Sequence, residues 1–165
     1  MKIADSHSHL NGEEHPIVHA PEAYRDVKTA ISQADGMTLR NSEDPQTRWH
    51  ACSESLGELL RQRGWEDVPG TKMPCFTKGR VALGMHLGGS STTPYEPFAD
   101  HILLYTGDII NVGIEILPVR AMAMDTEGGR NLSSGIAYYE GEVYNVMRHG
   151  RNSPPVPLLI IGIAP

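Results

Sequence analysis

Ile109–Val119 reads IINVGIEILPV, an almost unbroken apolar run. A strand with one wet face alternates apolar and polar residues, whereas a strand covered on both faces does not. This stretch therefore reads as a buried strand, with a span near 110–118. Pro155–Pro165, PVPLLIIGIAP, repeats the pattern and predicts a second buried strand near 157–163. Two such strands, separated by helical patterns, argue an α/β domain around a mixed central sheet flanked by helices.

The rest of the chain fits that frame. Pro21 opens PEAYRDVKTAISQA with Ala23, Val27, Ala30 and Ile31 at helical spacing, which predicts a helix over 21–33. Residues 35–50 read as loop, and Ser53 as the cap of a helix over 53–64 with Leu56, Leu59 and Leu60 as its apolar stripe. Cys75–Gly88 reads as a strand pair or one long strand, centred on 79–88. Helices follow over 95–106 and 134–148, with 125–134 as an exposed loop between them. Residues 1–19 read as two short strands joined at Asn11-Gly12, a good hairpin dipeptide.

At 165 residues the chain is long enough for one domain, spanning 1–165, with a real core. There is no apolar run of membrane length and no basic, apolar leader, so a soluble, non-secreted protein is expected. Two cysteines, Cys52 and Cys75, are too few for a disulfide framework and fit a reducing cytoplasm. A formal charge of −6 argues against indiscriminate nucleic-acid binding but leaves room for a local basic cleft.

Two motifs invite chemistry. Asp5-Ser6-His7-Ser8-His9 places both histidines on one face of a strand, as in metal-dependent hydrolases. Those enzymes are usually eight-stranded barrels of about 250 residues, whose later ligands a chain this short mostly lacks. The alternative is a polar edge strand. The glycine-rich GMHLGGSS of Gly84–Ser91 lacks the Gly-Lys-Ser/Thr ending of a phosphate-binding loop, and no Gly-x-Ser-x-Gly elbow is present.

Three stretches carry a resemblance: Ser8–Tyr24 (SHLNGEEHPIVHAPEAY), Phe98–Val119 (FADHILLYTGDIINVGIEILPV) and Leu132–Pro165 (LSSGIAYYEGEVYNVMRHGRNSPPVPLLIIGIAP). In that order they resemble the type II restriction endonucleases of the BstYI and BglII group. The resemblance implies a restriction-endonuclease-like core and a homodimer. It also implies magnesium-dependent cleavage of double-stranded DNA at a short palindrome of the GATC type. Such chemistry needs hard oxygen ligands, which the family supplies from an Asp and a Glu-x-Gln. His9 then belongs to the family's own SHLNG entry.

The matching segment here is Cys75–Gly89, CFTKGRVALGMHLGG. In the register set by Lys78-x-Arg80-Val81-Ala82, Cys75 stands where the family has Asp, Gly84 where it has Glu, and His86 where it has Gln. A connector that family members carry is absent between Trp65 and Cys75. Loss of ordinary magnesium catalysis with at most DNA binding retained is the expectation. The alternative is a metal-binding hydrolase, using the His-rich N-terminus or a rearranged site of Cys75 and His86 with oxygen ligands from Glu54, Glu58, Glu96 or Asp100. Restoring Asp, Glu and Gln at the three positions is expected to fold at least as well, since Gly84 gains a β-carbon on a strand. For DNA, the resemblance points to Asn131, Ser133, Ser134 and Gly135 as groove-facing, and Arg148 and Arg151 suit phosphates. Tyr138, Tyr139, Val143 and Met147 read as core or dimer packing.

Overall fold

The computed structural model describes residues 1–34, 45–88, 95–122, 137–148 and 153–164, with side chains for all of these except 45–48. Strands β1 (Lys2–His9), β2 (Glu66–Asp67), β3 (Cys75–Lys78), β4 (Val81–Met85), β5 (Val112–Pro118) and β6 (Leu158–Ala164) form one sheet. The order is β1-β6-β5-β4-β3-β2. β4, β5 and β6 run parallel to one another, while β1 and β3 pair antiparallel with their neighbours. The mixed sheet expected from the apolar strands is present, and it is open rather than a closed barrel, which removes the barrel hydrolase from contention. β5 is buried along its whole length, as its composition requires.

Helices α1 (Glu14–His19), α2 (Pro21–Gln33) and α3 (Pro45–Arg61) precede β2; α4 (Ala99–Thr106) crosses from β4 to β5, and α5 (Tyr139–Arg148) leads into β6. One sheet face, carrying Leu83, Met85, Ile114, Ile116 and Ile161, packs against α2 and α3 through Val27, Ile31, Leu56 and Leu60. The other face packs Leu117, Leu158 and Ile160 against Phe98, Tyr139 and Val146. Tyr139 is thus core and Val143 lines it, while Met147 is exposed. The β3–β4 turn is two residues long, and Gly79 supplies its positive φ of 58°.

Three expectations are corrected. Residues 1–19 hold one strand, not two: β1 pairs with β6, and the chain then turns through Leu10 and Asn11 into α1. A local device favours that turn, since Ser8 Oγ accepts from the Glu13 amide at 3.1 Å and donates to Glu14 at 2.7 Å. The helix expected over 53–64 begins at Pro45, so Ser53 is a buried residue of its interior and not its cap. Pro at the first helical position is the start signal, and Trp49 and Cys52 extend the Leu56–Leu60 stripe backwards. Finally, Glu66–Asp67 adds a short edge strand where a connector was expected.

Candidate active-site cleft

Register sets the site. Cys75 pairs with Gly84, Gly84 with Glu115, Glu115 with Ile160, and Ile160 with His7, a single row across the sheet on the α4–α5 face. His86, two residues after Gly84 and just past the end of β4, donates its backbone amide to the Ile116 carbonyl and lines the same cleft. α4 covers the row with Asp100 and His101, and Glu96 stands at the 3-10 turn Glu96–Phe98 before it. Cys75, Gly84, Glu115, His86, Glu96, Asp100 and His101 line, with Lys72, a cavity of about 90 Å³.

Its centre is a buried pair. His101 Nε2 and Glu115 Oε2 are 2.9 Å apart, and both residues are 1% exposed. Burial is the largest influence on each. It pushes Glu115 well above the usual carboxyl value, with Asp100 and Glu142 adding to it against His86, and it lowers His101 to about 4. Although the atoms stand at ion-pair distance, desolvation of two charges this deep favours the neutral forms. A protonated Glu115 donating to a neutral imidazole satisfies both directions. Glu115 Oε1 and His101 Nδ1 have no hydrogen-bond partner among the described residues.

Two glycines make room for the pair. A Cβ at Gly84 would collide with Glu115 Oε2 and lie 3.1 Å from His101 Nε2, and one at Gly113 would lie 2.6 Å from His101 Cγ. This corrects the expectation that adding a side chain at 84 is favourable: strand propensity favours it, but the space is taken. Cys75 is buried, and its thiol is pushed up to about 12, by burial first and then by Glu115 and Asp100. It is a neutral thiol at physiological pH.

The sequence candidates separate accordingly. Cys75, Gly84, His86, Glu96 and Asp100 do line one cleft. Glu54 and Glu58 do not: they are exposed on α3, which packs on the opposite sheet face. Arg148, at the end of α5, is exposed and lies 5.9 Å from the Tyr144 ring. Asn131, Ser133, Ser134, Gly135 and Arg151 lie outside the described residues. At the far edge, His9 Nε2 lies 2.9 Å from the Pro154 carbonyl oxygen, a packing bond rather than a ligand's geometry. No three His, Cys, Asp or Glu side chains stand together as a metal site among the described residues. Sequence reasoning missed His101 and Glu115, the two groups at the centre. The available signal was Glu115 itself, a lone carboxyl inside an apolar strand, which requires a partner.

An open mixed sheet with this crossover order and a cleft beside the β3–β4 hairpin is a restriction endonuclease fold. The solved structure titled "Crystal structure of free BglII" matches with a TM-score of 0.62 at 16% identity, covering 100% of this chain and 80% of that one. The profile of the family "Restriction endonuclease BglII/BglIII" matches residues 4–163, and the chain belongs to that family. No curated protein matches it. No helix among the described residues is long and apolar enough to cross a membrane.

Proposed function

We propose that this chain is a duplex-DNA-binding member of its nuclease family, recognising a short palindrome of the GATC type as a homodimer, without the family's magnesium-dependent cleavage. The fold and family support a type II nuclease ancestry. The observation that carries the loss of cleavage is the content of the Cys75–Gly84–Glu115 row: a buried thiol, no side chain, and a carboxyl committed to His101.

Magnesium is a hard ion that takes oxygen ligands in near-octahedral geometry. When bound in such an enzyme it activates water and stabilises charge on the scissile phosphate. Position 75 offers sulfur, position 84 nothing and position 86 an imidazole, so the donor set at these positions does not fit. Glu96 is paired with Lys72, and Asp100 is a second acidic side chain on the cleft wall. A softer metal on Cys75 and His86 has no third ligand among the described residues.

DNA binding is supported by family membership, and the homodimer by the two-fold symmetry of a palindrome. The two free, buried cysteines agree with a reducing cytoplasm. The test is selection of bound duplexes from a random library, with sedimentation of the complex. Enrichment of a palindrome held by two protein copies is expected; retention of no sequence at low salt contradicts the proposal.

A further inference from the structure

A lost ligand leaves a hole, but there is none at Gly84. The side-chain space at that position is filled from the adjacent strand by Glu115, whose Oε2 lies within clashing distance of where a β-carbon on residue 84 would be. Glu115 is held there by His101 at 2.9 Å, and His101 is seated over Gly113 with no room for a larger residue beneath it. Four residues on three elements are therefore mutually dependent: Gly84 on β4, Gly113 and Glu115 on β5, His101 on α4. Both partners are all but inaccessible, and the residual cavity beside them is about 90 Å³, room for a few waters at most.

We propose that Glu115, braced by His101, is a plug: a side chain from β5 that occupies the place of the β4 carboxylate and closes the metal pocket. This rests on the reading above only in taking position 84 as the family's glutamate. It differs from simple decay of a catalytic site, because the substitution at 84 and the occupant from 115 are two halves of one arrangement. Changing position 84 back is then insufficient, since the plug must come out as well. It also differs from a carboxylate moved to a neighbouring strand for catalysis. A metal ligand needs an accessible lone pair and companions, whereas Glu115 Oε2 is engaged by His101 and no three-ligand group surrounds it among the described residues.

The test uses Mn²⁺ alone, followed by loss of its free-ion paramagnetic resonance signal. Four proteins are compared: the unmodified chain, Glu115→Ala, the triple variant Cys75→Asp/Gly84→Glu/His86→Gln, and that triple variant with Glu115→Ala added. The unmodified chain and Glu115→Ala should bind no Mn²⁺ tighter than millimolar. The fourfold variant should bind at least tenfold tighter than the triple, and should melt higher than it. A single Mn²⁺ held at micromolar concentration by the unmodified chain and lost in Glu115→Ala would make Glu115 a ligand and overturn the proposal. Equal Mn²⁺ affinity in the triple and fourfold variants would also overturn it. A triple variant that fails to fold while the fourfold variant folds supports the plug, and a fourfold variant no more stable than the triple overturns it. Duplex binding is measured separately with EDTA and with Mg²⁺; failure to bind in both sinks the DNA reading while the Mn²⁺ results still judge the plug.

Discussion

Replacing Glu115 by Gln should change the pH dependence of stability in a way that reports how many protons the buried pair holds. In the unfolded chain the carboxyl titrates near 4.5 and the imidazole near 6.5. In the folded protein Glu115 is raised well above 4.5 and His101 is lowered to about 4, so the folded pair holds one proton, on Glu115, from about pH 4 upwards. Between pH 4.5 and 6.5 the unfolded pair also holds one, on His101, and the two contributions cancel. Above pH 6.5 the unfolded pair loses its proton and the folded pair keeps it. The pair's contribution then falls by about 1.4 kcal/mol per pH unit while Glu115 stays protonated. In Glu115→Gln only the depressed His101 remains. A depressed base contributes stability that is complete above 6.5 and lost as pH falls towards 4, about 3 kcal/mol over that window. Subtracting variant from unmodified protein cancels all other titrations. The difference should fall by about 1.4 kcal/mol per unit from pH 4.5 upwards, measured by urea unfolding in half-unit steps. A flat difference from pH 5 to 8 would mean that Glu115 is ionised in the folded protein and that the neutral pair is wrong.

Gly84→Ala should destabilise by about 1–3 kcal/mol through overpacking against Glu115 Oε2, and should cost clearly less in a Glu115→Ala background, where only the approach to His101 Nε2 remains; a urea double-mutant cycle measures the coupling. Both cysteine thiols are pushed up to about 12, so labelling by a disulfide reagent at pH 8 should be slow until urea unfolds the chain, and fast labelling of Cys75 would contradict its burial. Asp26→Ala removes the partner of Lys78 Nζ at 2.7 Å and of Trp65 Nε1 at 3.3 Å, and should cost about 1.5–3 kcal/mol by thermal or urea unfolding.

Elements that bury themselves on their own pattern were legible in the sequence. Ile109–Val119 and Leu158–Ile163 have no polar alternation, and Pro21 with Ala23, Val27 and Ile31 marks a helix without help from its neighbours. The strand pair within Cys75–Gly88 was legible only as one of two readings, and its turn at Gly79-Arg80, which pairs Cys75 with Gly84, fell inside the span read as strand. Elements whose state depends on distant partners were not. β1 is a single strand because β6 offers it an edge at the other end of the chain, from His9 with Leu158 to Lys2 with Ala164, and local hairpin signals at Asn11-Gly12 carry no trace of that. The start of α3 was hidden because PQTRWH is polar apart from Trp49. The centre of the site failed for the same reason: Glu115 sits in a run read as apolar, and His101 lies 14 positions earlier on a helix. Position 84 then reads as a ligand lost, when the structure has another residue in its place.

On the proposed function, this nuclease fold holds DNA and does not cut it. The direct measurement incubates the unmodified chain with its selected palindromic duplex in Mg²⁺ or Mn²⁺, following retention and strand cleavage in one sample. Bound duplex that stays intact through hours, with both strands full length, is the expected result. Cleavage of both strands at a fixed position, dependent on the added metal, would contradict it and restore the cleft around Glu115 and Asp100 to catalysis.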